Sequence, residues 1–305
     1  MKKLHFIVEN YLFYPSLFGK IVAFLLLPIS LLYCFLTYLK RLTSSEESFN
    51  IPIISIGNLI IGGSGKTPLT IALAKKYSNA TIILRGYKRE SQGLVVVSEN
   101  GKIKSDVKTS GDEAMELSYA LPNATIIVSQ DRKEAILKAK SLGAKIIFLD
   151  DGFSKFSIKK FNILLKPNEK YLPFCIPSGP YRFHPLLYKS ADIVLTDGID
   201  FKREVSIKNK TSNMIFLTAI SKPNRLDRYL SHDIQRFYLP DHSKFEKEFI
   251  DELIKKYSPT SILTTNKDAV KLDNFNLNLS ILELNINIDD KIVNKIDNYI
   301  QGFKP

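Results

Sequence analysis

GNLIIGGSGKTPL, residues 57–69, follows the apolar run IPIISI (51–56) and leads into helical patterning from about Lys66. A phosphate group needs several backbone N–H groups aimed inward with no Cβ in the way, and glycines between a strand and a helix start supply both. Gly62, Gly63 and Gly65 permit close approach, Lys66 can reach β- and γ-phosphates, and the Thr67 hydroxyl can ligate Mg²⁺. Asn58, Ser64 and Pro68 complete the candidate nucleotide-binding set, with Lys66 also a candidate for stabilising transferred charge. A plain glycine-rich turn would explain the glycines but not Lys66-Thr67 directly after them. The stretch departs from the common phosphate-loop pattern in one respect: an earlier glycine is replaced by Ile60.

Outward from this loop, short β-branched runs alternate with helical patterns: ATIILR (80–85), ATIIVS (124–129) before a helix from about Asp131, AKIIFLD (144–150) and ADIVLT (191–196). Runs that barely alternate in polarity suit strands covered on both faces, so the expected fold is α/β with a mainly parallel, P-loop NTPase-type sheet. A second, smaller α/β set follows: MIFLTAI (214–220), a helix near 222–230, IQRFYL (234–239), a helix near 243–256, TSILTT (260–265) and a last helix from about 289. The polar stretch DGIDFKREVSIKNKTSN (197–213) reads as a hinge or ribbon between domains. The expected division is an N-terminal segment 1–45, a P-loop domain 46–210 and a C-terminal domain 211–305.

Composition narrows the partners. The formal charge of +12 favours an anionic partner, but no RNA-recognition, zinc-finger or helix-turn-helix signature is present, which argues against nucleic acid. Cys34 and Cys175 have no metal-ligand spacing and suggest no disulfide framework. Residues 21–39, IVAFLLLPISLLYCFLTYL, contain no charge and are flanked by Lys20 and by Lys40-Arg41. At about 1.5 Å per residue the run reaches across a hydrocarbon core, so the segment is expected to anchor the chain to membrane lipids, spanning or lying in the interface. Removing residues 1–41 should then release the remainder from the membrane.

Three further clusters carry chemistry. AKIIFLDD (144–151) ends a strand in two carboxylates, where P-loop enzymes hold their metal, so Asp150 and Asp151 join Thr67 as metal candidates. RGYKRE (85–90) and SGDEAMEL (110–117) fall where such a fold places its loops. Gly111 before Asp112 and Glu113 also suits an ordinary helix start, because the helix dipole favours acidic residues there.

Together these motifs resemble the tetraacyldisaccharide 4′-kinase family, which phosphorylates the lipid A precursor at the bacterial inner membrane. The resemblance rests on GNLIIGGSGKTP (57–68), RGYKR (85–89), GDE (111–113), DR (131–132), LDDGF (149–153), PSGPYR (177–182), ADIVLT (191–196), PDH (240–242) and TTNKDAVKL (264–272). The family's own phosphate loop has its extra glycine at the position of Gly62, which accounts for Ile60. The resemblance implies that Asp112 acts as base on the sugar hydroxyl with help from His242, and that the loop, Thr67, Asp150 and Asp151 bind ATP and Mg²⁺. It also implies that Arg85, Tyr87 and Arg182 meet the substrate, an acylated glucosamine disaccharide 1-phosphate, on the cytoplasmic face of the inner membrane. Nothing in the pattern requires more than one chain.

Two departures stand out. Ser154-Lys155 replace the family's Gln-His after LDDGF, and Phe183 stands where the family has a glutamate after GPxR. An aromatic ring can neither ligate Mg²⁺ nor accept a proton, so the role of that glutamate is expected to be covered elsewhere and Phe183→Glu to be tolerated. Two other readings compete: a P-loop GTPase or metallochaperone, for which TTNKDA (264–269) approximates a guanine-reading Asn-Lys-x-Asp, and a membrane-bound scaffold that binds nucleotide without turnover.

Overall fold

Residues 2–62, 65–220 and 223–303 are described by the structure, a computed structural model, the side chains of 2–6 aside. The chain opens with helices α1 (Lys2–Phe13), α2 (Leu17–Leu25) and α3 (Leu27–Leu42). It then runs through β1 (Ile53–Asn58), α4 (Lys66–Ala74), β2 (Ala80–Leu84), β3 (Val95–Glu99), β4 (Lys102–Ile103), α5 (Val107–Ser110), α6 (Asp112–Ala120) and β5 (Thr125–Val128). Next come α7 (Arg132–Ser141), β6 (Ile146–Asp150), β7 (Phe161–Lys166), a 3₁₀ turn Pro185–Ser190, β8 (Ile193–Thr196) and β9 (Phe201–Lys208). The last stretch comprises β10 (Met214–Thr218), a 3₁₀ helix Pro223–Tyr229, β11 (Gln235–Tyr238), α8 (Lys247–Tyr257), β12 (Ser261–Thr265), α9 (Asn266–Leu272), a 3₁₀ turn Asp273–Phe275, β13 (Leu279–Ile288) and α10 (Asp290–Gln301).

The strands form an eight-stranded sheet in the order β4-β3-β5-β2-β6-β1-β7-β8 and a five-stranded sheet in the order β11-β10-β12-β13-β9. Every residue of β1, β2, β5 and β6 is buried, which is why these strands are continuous apolar runs rather than alternating ones. Strand β9, at the edge of the smaller sheet, instead alternates between covered and exposed residues. The polar stretch expected as a hinge or ribbon therefore contributes an edge strand, whose outward Lys202 and Glu204 discourage further pairing. The strands of the larger sheet lie within 53–196 and those of the smaller within 201–288.

Two compact units are present, one made of Met1–Lys66, Phe148–Lys202 and Ile288–Pro305, the other of Thr67–Ile147 and Arg203–Asn287. In the first, β7 pairs in parallel with β1 and with β8. Leu12 and Phe13 of α1 are buried in one cluster with Leu59, Phe153, Leu164 and Tyr181. In the second unit, β2 and β5 are parallel while β3 runs antiparallel to β5 and β4. There β10 and β12 build the centre of the smaller sheet, with Ile250 and Leu253 of α8 packed on Ile215, Leu217 and Ile262.

Three expectations change. The uncharged run 21–39 is not one helix: α2 and α3 meet at a 58° bend. Pro28 lies in the first turn of α3, where its missing N–H is harmless, but a ladder continued from α2 would need that donor. Among the described residues no single helix is long and apolar enough to cross a membrane, and only this bent pair approaches that length. The cysteines are not separate either. Cys34 of α3 and Cys175 form a disulfide across 141 residues, because Ser30, one turn earlier, is bonded to Ser178 and brings the helix onto that loop. Finally, the helix expected near 222–230 is the 3₁₀ segment Pro223–Tyr229, and Lys222 falls outside the described residues.

Candidate active site

The residues singled out by the sequence divide between the units: Asn58, Gly62, Gly65, Lys66, Asp150, Asp151 and Arg182 lie in the first, and Thr67, Pro68, Arg85, Tyr87, Asp112 and His242 in the second. In the first unit, β1 ends at Asn58 and the chain passes through Gly62 and Gly65, whose φ values of 83° and 78° lie in the left-handed region that side chains with a Cβ resist. Gly63 and Ser64 lie outside the described residues. Lys66 opens α4, followed by Thr67 and by Pro68, which fits the first turn because N–H groups there have no partner within the helix. Lys66 Nζ lies 3.4 Å from Asn58 Oδ1 and 3.7 Å from Asp151 Oδ1.

Arg182 organises this cluster. The backbone at 180–182 pairs with 59–61, Ile61 N donating to Pro180 O and Arg182 N to Leu59 O. This carries the guanidinium to Asp151, where Nη2 and Nη1 donate to the two carboxylate oxygens at 2.9 and 3.1 Å. Nη2 also donates to Asn58 Oδ1 at 2.6 Å. Such a planar fork matches a carboxylate in a way an ammonium cannot. Burial disfavours the Arg182 charge, but the bond to Asp151 outweighs it and holds the guanidinium above its ordinary pKa. Asp150 is buried at the end of β6, and Asp151 follows with a left-handed φ of 52° that turns it away from the strand direction. Asn58 Nδ2 is buried without a partner among the described residues, a spare donor at the foot of the loop.

Phe183 has turned from the cluster altogether. Its ring packs edge-on against Phe153 and Phe156, both with centroids 5.8 Å away. Phe183 is one corner of an aromatic triad with Phe153 and Phe156.

In the second unit the centre is Asp112, the first residue of α6. It is 6% exposed and accepts from His242 Nδ1 at 2.9 and 3.1 Å and from Glu113 N at 3.0 Å. The pairing expected from the GDE and PDH motifs is thus formed. His242 has a left-handed φ of 62°, held by its N–H on Ala219 O at 2.9 Å. A non-glycine residue in that region costs of order 1–3 kcal/mol and persists only where its surroundings over-determine it. Tyr87 sets its ring edge-on to the imidazole at 5.4 Å, while Arg85, one residue past β2, is exposed.

Helix α9 supplies two lysines that the sequence reading left unassigned. Lys267 Nζ donates to Asp241 Oδ1 at 3.2 Å, stands 3.3 Å from His242 Nε2, and lies 3.9 Å from Asp112. Lys271 reaches Asp268 and stands 3.8 Å from Asp112. Their spacing of one helical turn puts both on the face that meets α6, a signal present in TTNKDAVKL once the segment is read as a helix. Burial pushes the Asp112 carboxyl up, yet the His242 bond and the charges of Lys267 and Lys271 outweigh it and leave the group below its ordinary range. Asp112 is therefore an ionised carboxylate in a largely dry setting.

The same geometry disfavours the guanine-reading alternative. Asp268 is fully buried and accepts from Thr218 Oγ1, Ala219 N and Thr265 Oγ1, so its carboxylate is used inside the second unit.

A mainly parallel sheet that delivers a glycine-rich loop into a lysine-started helix, with a carboxylate pair ending a neighbouring strand, defines a P-loop phosphotransferase. The family model for tetraacyldisaccharide-1-P 4′-kinase matches residues 22–301. Proteins named tetraacyldisaccharide 4′-kinase from Aliarcobacter butzleri, Helicobacter acinonychis and Campylobacter jejuni subsp. doylei are 54%, 46% and 42% identical, covering 99%, 97% and 99% of this chain and 99%, 95% and 98% of their own. The crystal structure of LpxK from Aquifex aeolicus in complex with ATP superposes with a TM-score of 0.77 at 24% identity, over 93% of this chain and 100% of that one. The chain belongs to the tetraacyldisaccharide 4′-kinase family.

Proposed function

We propose that the chain transfers the γ-phosphate of ATP to the 4′-hydroxyl of tetraacyldisaccharide 1-phosphate. The observation that carries the reading is the buried Asp112–His242 pair, within a chain that matches named 4′-kinases along nearly its whole length. The acceptor hydroxyl loses its proton to the Asp112 carboxylate as its oxygen bonds to phosphorus. The bond from the γ-phosphorus to the bridging oxygen breaks, and ADP leaves with that electron pair. An ionised carboxylate is the form that can accept the proton, and His242, donating through Nδ1, orients it. Lys66 and the N–H groups of the loop offset charge on the phosphates.

Asp150, Asp151 and Thr67 offer the hard oxygen donors that suit Mg²⁺. Among the described residues no three His, Cys, Asp or Glu side chains gather to hold a metal, which fits an ion held by one or two carboxylates together with the nucleotide's phosphates. When bound, Mg²⁺ supplies neutralisation of phosphate charge. Arg182 keeps the Asp151 carboxylate oriented.

Helices α2 and α3 are proposed to rest in the cytoplasmic leaflet of the inner membrane. Ala23 and Ser30 face the protein, while Phe24, Leu25, Leu32, Phe35 and Leu36 are more than half exposed. Large apolar side chains outward and small ones inward invert the soluble pattern and suit a lipid surface. The experiment is ATP-dependent phosphorylation of the lipid disaccharide monophosphate in mixed micelles. Lys66→Ala is expected to lower turnover by about 10²-fold or more. Wild-type protein that hydrolyses ATP without forming the 4′-phosphate overturns the reading.

A further inference from the structure

We infer that Lys267 is a positioning residue for the reaction, which donates to His242 Nε2 and so locks the imidazole in the tautomer that carries its proton on Nδ1 toward Asp112. The inference rests on the reading of Asp112 as the base. A carboxylate can only accept, so Nδ1, at 2.9 Å from Asp112 Oδ2, must carry a hydrogen. An ammonium can only donate, so Nε2, at 3.3 Å from Lys267 Nζ, must be the acceptor. Both conditions are met by one species, the neutral Nδ1–H imidazole.

The alternative protonation states meet opposition. An imidazolium would aim an N–H at the ammonium, with Asp241 Oδ2 at 3.6 Å the acceptor on that side among the described residues. The Nε2–H tautomer would turn a lone pair toward the Asp112 carboxylate. Lys267 is itself fixed by Asp241 Oδ1 at 3.2 Å, with Glu113 at 3.8 Å and Asp112 at 3.9 Å. Burial disfavours its charge, but Asp112, Glu113 and Asp241 outweigh that and keep the ammonium protonated. Lys271 cannot substitute, since its ammonium is committed to Asp268 and to Ser243 O. Among the described residues the charged and titratable groups facing Asp112 are His242, Lys267, Lys271, Glu113 and Glu116, with Tyr87 edge-on to the imidazole.

Lys267 thereby decides where the substrate's proton stops. With Nε2 occupied as an acceptor and Nδ1 already protonated, His242 has no free site to take the proton from Asp112, so the carboxyl retains it until ADP has formed. Without Lys267, Nε2 loses its donor, either ring tautomer becomes available, and Asp112 loses one of the cations that favour its ionised form.

The test combines ¹⁵N-histidine NMR of the full chain, with the His242 signal assigned through His242→Gln, and pH-dependent kinetics. Wild type is expected to show the Nδ1–H tautomer, and Lys267→Met to show tautomer mixing. Lys267→Met should lose about 10-fold or more in kcat, a loss on the scale of general-base efficiency, with KM for ATP within a few-fold and the acid limb of the profile moved to higher pH. Lys267→Gln keeps a donor without a charge, so it should restore the tautomer and part of kcat, which a purely structural role would not produce. An unchanged His242 tautomer and acid limb in both variants overturns the inference. If the wild type fails to phosphorylate the lipid while the tautomer still follows residue 267, the function reading fails and the hydrogen-bond assignment stands.

Discussion

Asp112 and His242 behave as one group: the carboxylate is oriented by the imidazole and the imidazole is fixed by the carboxylate. Residues that act as a unit lose activity non-additively. Asp112→Ala is therefore expected to cost nearly as much turnover as Asp112→Ala combined with His242→Ala, and simple additivity in that double-mutant cycle would count against the coupling. Phe183 makes a prediction of the opposite kind. The sequence alone suggested that glutamate would be tolerated there, but the ring packs on Phe153 and Phe156 beside a buried cluster. Phe183→Glu would set a carboxylate against the aromatic edges of Phe153 and Phe156 at a half-buried position, and a poorly solvated polar group costs about 1 kcal/mol or more. Urea unfolding should show that loss, while Phe183→Leu stays close to wild type.

At the scale of elements, α6 and α9 face each other with opposite charge, Asp112, Glu113 and Glu116 against Lys267 and Lys271. One carboxyl too many is present. Part of Glu116 reaches solvent, but its carboxyl is densely surrounded, and burial, opposed by Lys267 and reinforced by Glu113, Asp112 and Asp268, pushes it up to about 8. A carboxyl whose folded pKa is raised binds more protons folded than unfolded, so it weakens the fold progressively as pH rises from about 4.5 to about 8. Glu116→Gln should raise stability near pH 8 and change little near about pH 4, read from unfolding midpoints across that range.

The same elements show what the sequence can and cannot disclose. β1, β2, β5 and β6 are legible because burial on both faces forces unbroken apolar runs. β9 is not, since an edge strand with Lys202, Arg203 and Glu204 has the composition of a linker. Asp112 and His242 are separated by 130 residues, and only the family motifs join them in advance. The helical spacing in TTNKDAVKL puts Lys267 and Lys271 on one face, but that this face meets α6 follows only from the tertiary packing.

For the whole molecule, the N-terminal helices are part of the fold rather than an appendage. Leu12 and Phe13 are buried with Leu59 and Ile60, and Ser30 is bonded to Ser178. Removal of residues 1–41 would strip the cover from this cluster, so the clean release expected from the sequence should instead give unfolded or aggregated protein. The sharper probe leaves the core intact. Leu32→Glu with Phe35→Glu alters two side chains that are each 59% exposed. It should reduce sedimentation with anionic lipid vesicles without lowering the unfolding midpoint, and undiminished vesicle binding would refute the lipid-facing assignment.

The two ties on α3 have a geometric consequence. Ser30 and Cys34 are separated by one helical turn, about 6 Å along the axis, and their partners Ser178 and Cys175 lie on either side of the peptide bond between Ile176 and Pro177. A rod fastened at a single point can still spin about its long axis, whereas one fastened at two points along the same stripe cannot. The azimuth of α3 is thus set within the protein itself, and the side turned outward is chosen by stitching.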